Sequence, residues 1–213
     1  MPLDVERHLG AVKRTVSELT RDGKPARCVT LTRLYDTTVD DLWDAMTNPE
    51  RLPRWFLPVE GDLRLGGRYQ LKGNAGGSIT DCAPPTRLDL TWEFAGDTSW
   101  VEVRLAAEAA ELARFTLNHI AHVGDHWRKF GPGAVGVGWE LGLLGLALHL
   151  ADRTAAVALE EADLATRPEG RALILGSSEA WGEADIESGA DPVQARSAAR
   201  RTGAFYTGSP PPD

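Results

Sequence analysis

The sequence predicts an α+β fold in which a curved antiparallel sheet grips one long helix. Three observations predict it. Residues 88–94, 101–105 and 115–119 alternate apolar and polar side chains with a period of two, as half-buried antiparallel strands do. Turn signals at short, regular spacing separate such runs, which favours a meander. Val135–Leu150 then reads VGVGWELGLLGLALHL, apolar almost all round and broken only by Glu140 and His149. A helix of that kind must be covered on more than one side.

Composition sets the outer bounds. The chain has 213 residues, 42% of them hydrophobic, and a net charge of −8. That is enough for one sizeable domain plus an appendage. The acidic balance, with no Lys/Arg run longer than two residues, argues against nucleic acid or an anionic membrane as partner. The start, MPLDVERHLGAVKR, lacks the apolar stretch of a secretion signal. A cytoplasmic location is therefore expected, with Cys28 and Cys82 as free thiols. Val135–Leu150 falls short of the roughly 20 apolar residues that span a bilayer and contains Glu140, so no membrane insertion is expected.

The elements follow in order. Residues 11–35 hold two Thr- and Val-rich stretches around Arg21-Asp22-Gly23-Lys24. Asp-Gly between β-prone runs signals a hairpin, because Gly tolerates the positive φ of a tight turn. The spacing of Val5, Leu9, Val12, Val16 and Leu19 also fits one face of a helix. The hairpin is the favoured reading, with Cys28–Tyr35 its firmer strand. Thr38 caps a helix from Val39, with Asp40 and Asp41 in the first turn where the dipole favours negative charge. Asn48-Pro49 stops it and begins a short helix to Arg54. A turn over 53–58 presents Trp55 and Phe56. Strands then centre on Tyr69 and Leu71, on 88–94, on 101–105 and on 115–119. Gly66-Gly67, Gly73-Asn74, Gly76-Gly77, Pro84-Pro85 and Gly96-Asp97 read as turns. Residues 122–133 form a loop or short helix.

On the apolar helix, Trp139, Leu143, Leu146 and Leu150 form one stripe, and Leu141, Leu144 and Leu148 another. The sheet covers one side; the C-terminal extension or a second subunit covers the other. The extension, residues 151–213, is rich in Ala, Glu and Arg and reads as helices near 154–164, 169–188 and 192–201, with 209–213 a frayed end. The division is thus 1–25 as an N-terminal extension, 26–150 as the main domain and 151–213 as a helical appendage.

The ordered set Val39–Trp43, Asn48-Pro49, Trp55-Phe56, Gly61-Asp62, Gly66-Gly67-Arg68-Tyr69, Leu90-Thr91-Trp92-Glu93 and Gly138-Trp139 resembles the heat-shock ATPase-activator homologue family. That family belongs to the START-like, or SRPBCC, superfamily. The resemblance covers about residues 26–150, and Phe205-Tyr206-Thr207-Gly208 looks like the ending of a bacterial subgroup. It implies a helix-grip fold with space between sheet and helix. Superfamily members bind lipids, sterols, polyketides or hormones, and some act as cyclases or hydrolases. The eukaryotic activator stimulates a chaperone ATPase but carries a further N-terminal domain without counterpart in this sequence. The resemblance therefore implies a small apolar or aromatic molecule as partner before a chaperone. It brings no shared catalytic set.

Alternation and helical position select Trp55, Tyr69, Trp92, Phe94, Phe115, Leu117, His119, Trp139, Gly142 and Leu143 as the ligand-binding set. For any single Trp, core filling is the competing explanation. Gly138, Gly142 and Gly145 with His149 share a stripe, read either as close backbone packing or as room for a ligand. His119 is either a hydrogen-bonded core histidine or an anchor for a ligand carbonyl, or an acid or base. With Asp81 it forms the candidate catalytic pair for an enzyme reading. His119, His122 and His126 do not have metal-site spacing, since 119 and 122 point to opposite faces of a strand. No phosphate loop and no nucleophile elbow occurs, and no cofactor is expected. A homodimer through the apolar helix stays open.

Overall fold

A computed structural model describes residues 3–152 and 161–210. The chain forms two compact units, each assembled from separate segments. The first contains Met1–Leu31, His122–Leu141 and Leu159–Asp213; the second contains Thr32–Ala121 and Gly142–Ala158.

The strands are β1 (Val12–Arg21), β2 (Lys24–Tyr35), β3 (Val59–Gly61), β4 (Arg68–Leu71), β5 (Gly76–Ala83), β6 (Arg87–Phe94), β7 (Asp97–Ala109) and β8 (Leu112–His122). They form one curved antiparallel sheet in the order β1-β2-β8-β7-β6-β5-β4-β3. The helices are α1 (Val5–Gly10), α2 (Val39–Thr47), α3 (Asp125–Phe130), α4 (Gly133–Ala151), α5 (Glu161–Thr166), α6 (Pro168–Glu187) and α7 (Pro192–Thr207). This is the expected α+β helix-grip architecture with added C-terminal helices.

In the first unit the Asp22-Gly23 turn joins β1 to β2, with φ of 50° and 73° at the two residues, the left-handed pair a tight hairpin needs. The competing helical reading of 5–19 survives only as α1, capped by the Asp4 carboxylate accepting from the Arg7 amide at 3.1 Å. The first half of α4 packs against α6 and α7. Gly136 lies flat on the fully buried Trp181 ring, where a Cβ would sit 2.3 Å from indole Cε2. Tyr206 Oη donates to the Ala134 carbonyl at 3.0 Å. Arg14 on β1 grips Glu140 with two bonds, Nε to Oε1 at 2.6 Å and Nη2 to Oε2 at 2.5 Å. Glu140 is buried, so this paired geometry is what makes a carboxylate tolerable there.

Two sequence readings are corrected at this end of the chain. The last helix continues past 201 to Thr207 and ends at Gly208, whose φ is 62°. The helix carrying the apolar run is 19 residues long, and by length and composition alone it could cross a membrane, so the length argument against insertion fails. Half of it is buried inside the protein. Most of the helix expected over 154–164, and residues 211–213 of the frayed end, lie outside the described residues.

In the second unit β3 to β8 pair consecutively, and the end of β2 lies beside β8. Thr38 caps α2 as expected, its Oγ1 accepting from the Asp41 amide at 3.1 Å. Gly76-Gly77 is not a turn but the start of β5. Gly77 faces Tyr69 across the β4–β5 pair, and a Cβ at 77 would meet the Thr91 carbonyl oxygen at 2.0 Å. With no side chain there, Tyr69 reaches across β5 and its Oη donates to the Thr91 carbonyl of β6 at 2.7 Å. The glycine is thus a close-approach residue, which composition alone reads as a turn.

Candidate functional site

The second half of α4 marks the inner face of the sheet. Tyr35 Oη donates to the Leu143 carbonyl at 3.1 Å, and the Tyr35 ring meets Phe115 edge-on with centroids 6.4 Å apart. Phe115, Leu117 and His119 of β8 therefore share the helix-facing side. Strand register carries that side outward: Phe115 opposes Leu105, Leu117 opposes Val103, and His119 opposes Val101. On the next pair Val103 opposes Leu88, Val101 opposes Leu90, and Ser99 opposes Trp92. Beyond it Leu90 opposes Ile79 and Leu88 opposes Cys82.

Coverage of this face is uneven. On β7 and β8 its apolar residues are buried, 2% exposed at Val101 and Leu117. On β6, the fifth strand in sheet order, Leu88, Leu90 and Trp92 are only half-buried, and so is Cys82 beside them. A central strand whose inner side is incompletely covered is unusual, because apolar surface there gains most from burial.

His119 lies at the edge of this uncovered patch. It is 4% exposed, its ring 6.2 Å from that of Trp92 in an edge arrangement. Its Nε2 is 2.9 Å from Ser99 Oγ, and that hydroxyl donates to the Trp92 carbonyl at 3.2 Å. Because the hydroxyl hydrogen is used on the carbonyl, Nε2–H donates to Ser99 Oγ. Burial favours the neutral ring, pushing its pKa from 6.5 down to about 4. Burial also raises the Tyr35 and Tyr69 phenols and, with the Asp81 charge, the Cys82 thiol. On β4, β5 and β8 the inner face thus carries Tyr69, Cys82 and His119 in their uncharged forms.

Of the ten expected binding residues, Tyr69, Trp92, Phe115, Leu117 and His119 fall on this face. Leu143 adjoins it through the Tyr35 bond, and Gly142 faces the Phe56 ring, with a Cβ there 3.4 Å from Cε2. Gly142 thus has ordinary room, whereas Gly136 of the same helix has none. Trp55 is buried in its own right, its Nε1 donating to the Ala45 carbonyl of α2 at 2.9 Å. One placement is corrected. Phe94 has the parity of Trp92 but ends β6 at the hairpin and is 54% exposed, so it lies past the covered sheet. Trp139 lies in the part of α4 that belongs to the first unit, where it is half-buried.

The expected catalytic pair is also corrected. A register shift between Ile79 and Asp81 turns Cys82 inward and puts Asp81 opposite Asp89 on the outer face. There Asp81 pairs with Arg87. His119 and Asp81 therefore point to opposite sides of the sheet. Among the described residues no group of three or more His, Cys, Asp or Glu gathers to hold a metal. His122 Nδ1 is 3.4 Å from the Pro25 carbonyl, and His126 packs on Phe130 with centroids 5.0 Å apart.

Two groups that sequence reasoning passed over belong to this unit. Ser99 is the partner of His119, an assignment that needs the β6–β7 register. Arg51 joins Asp41 at 3.0 Å and Asp44 at 2.7 Å, with its Nη2 3.5 Å from Nε2 of the buried His149 of α4. That network ties α2 to the end of α4.

Comparison with known proteins agrees with this architecture. The solution structure of CalU16 from Micromonospora echinospora is 33% identical, covering 84% of this chain and 97% of that one, with a TM-score of 0.70. EF2215 from Enterococcus faecalis, a conserved protein of unknown function, is 14% identical with a TM-score of 0.60, covering 84% and 95%, a likeness of fold alone. DynU16, a putative protein in the dynemicin biosynthetic locus, is 21% identical with a TM-score of 0.54, covering 62% of this chain and 49% of that one. No curated protein matches the chain. The family model for "Activator of Hsp90 ATPase homolog 1-like protein" matches residues 36–150, more than half of the sequence. With the helix-grip architecture described above, that match makes this chain a member of the activator of Hsp90 ATPase homolog 1-like family, of the SRPBCC type.

Proposed function

We propose that the second unit binds a small, largely apolar molecule on the inner face of β6, beside His119. The observation that supports this reading best is the half-buried state of Leu88, Leu90 and Trp92 next to fully buried neighbours on β7 and β8. Apolar surface of this kind on an inner strand, with a few placed polar groups, is the usual make-up of a small-molecule site. The Ser99–His119 pair supplies the polar element. The free thiols Cys28 and Cys82 fit a reducing, cytoplasmic setting.

A cyclase- or hydrolase-type activity is the lesser reading, because it needs a second converging titratable group and Asp81 faces the other way. A chaperone partner draws on the family's name alone. The test is a thermal-shift screen of the purified chain against sterols, fatty acids, alcohols and polycyclic aromatics, with native mass spectrometry of the protein as isolated. A dose-dependent rise in Tm with an apolar compound is expected. No stabilisation by any class, and no bound mass, overturns the reading.

A further inference from the structure

The first unit carries a surface that the binding reading does not use. Its last helix, α7, holds three arginines and no carboxylate over Pro192–Thr207, on a chain whose net charge is −8. The solvent side of α7 runs from Val193, 75% exposed, past the exposed Arg200 to Phe205, 66% exposed. Phe205 does not stand alone. Its ring centroid is 5.6 Å from that of Phe130 on α3 and 5.4 Å from that of Tyr206, and His126 extends the row 5.0 Å beyond Phe130. The ammonium of the exposed Lys129 sits 4.9 Å from the Phe130 centroid.

The row is fixed from beneath. Thr202 Oγ1 donates to the Phe130 carbonyl at 2.8 Å, and Arg201 Nε donates to the Lys129 carbonyl at 2.6 Å. Arg201 Nη1 donates to Ser197 Oγ at 2.7 Å, which leaves further N–H groups of its fork for a carboxylate. Asp125 of α3 and Glu183 of α6 pair with Arg128 and Arg196 at 3.0 and 3.1 Å, so Lys129, Arg200 and Arg201 set the sign of the surface.

We propose that this face docks an acidic segment of a partner protein. An apolar side chain of that segment rests on Phe205 and Phe130, and its carboxylates meet Lys129, Arg200 and Arg201. Pre-ordered aromatic rings bordered by arginine are the make-up of an interface hot spot. Charge selects the occupant. A symmetric second copy would set the arginines of α7 against one another. Nucleic acid or an anionic membrane would meet the repulsion of a chain of net charge −8, whereas a short acidic segment meets only the local positive surface. Helix α7 lies outside residues 36–150, so the family's shared domain does not account for the patch. The proposal stands whether or not the second unit binds an apolar molecule.

The test is fluorescence anisotropy of the full chain with three labelled amphipathic peptides: one with Glu on its polar face and Leu on its apolar face, one with Lys in place of Glu, and one with Ser in place of Leu. The Glu–Leu peptide is expected to bind about tenfold more tightly than either control and to weaken as salt is raised. Phe205→Ser is expected to lower that affinity about tenfold. The double variant Lys129→Glu, Arg200→Glu is expected to turn the preference toward the Lys–Leu peptide. No binding of the Glu–Leu peptide, or binding equal to that of either control, overturns the proposal. So does tighter binding of a single-stranded oligothymidine or of phosphatidylserine vesicles, or self-association in sedimentation velocity that Phe205→Ser abolishes. Circular dichroism checks both folds, and if Phe205→Ser does not fold, an unchanged preference in the charge variant overturns the assignment by itself.

Discussion

Replacing His119 by Phe gives a quantitative check on the inner face, because burial ties the charge of this imidazole to folding. Its pKa falls from 6.5 to about 4 in the folded chain, so between those values the unfolded chain holds the extra proton. Stability therefore rises with pH through that window and is lost as pH falls from about 6.5 toward 4. The whole gap corresponds to roughly 3 kcal/mol, and the part between pH 7 and pH 4.5 to about 2 kcal/mol. Carboxylates titrate over the same range, so the wild-type curve alone is ambiguous. The informative quantity is the difference between wild type and His119→Phe, in which the carboxylate contribution largely cancels. Urea denaturation at the two pH values provides it. With a slope of about 2 kcal/mol per molar, the wild-type midpoint should fall by about 1 M more than that of the variant. Equal falls for the two proteins would mean that His119 titrates normally, and the dry environment assigned to it would be wrong.

Other consequences are as specific. Gly136→Ala drives a methyl into the buried Trp181 ring and should destabilise the chain by about 3 kcal/mol, with a clear loss of Tm; unchanged Tm would contradict the close approach. Arg14→Met leaves the Glu140 carboxylate buried without its cation and should cost about 3–5 kcal/mol, most of it recovered in the double variant Arg14→Met, Glu140→Leu. No recovery in the double variant, measured by thermal melting, would mean that packing rather than charge holds this contact. Thr38→Ala removes the cap of α2 and should cost about 1 kcal/mol, with little effect on ligand-induced stabilisation.

The fold was legible in the sequence wherever a periodic pattern repeated. Three long strands, the capped α2 and the buried α4 each declare themselves within a dozen or so residues, and the family motifs join them in order. The site was legible only in part, because membership of the inner face is a matter of register. His119, Leu117 and Phe115 follow from alternation along one strand. Asp81 does not, since the shift after Ile79 reverses parity and the local pattern gives no sign of it. Gly76 and Gly77 look like turn residues until Tyr69 is seen lying across them. Gly136 looks no different from Gly142 until Trp181 arrives from 45 positions further along. The Arg14–Glu140 contact joins residues 126 apart, a separation at which no pattern in the chain is informative.

The two-sided character of β5 to β7 has a consequence for how the protein reaches its native state. If β6 slid by one residue against β7, Asp89 and Glu93 would be thrust among Val101, Val103 and their neighbours, and Leu90 and Trp92 would be turned out to water. Misaligned hairpins are thus penalised as soon as they form. The same sorting of charged and apolar side chains thus proofreads the sheet during assembly.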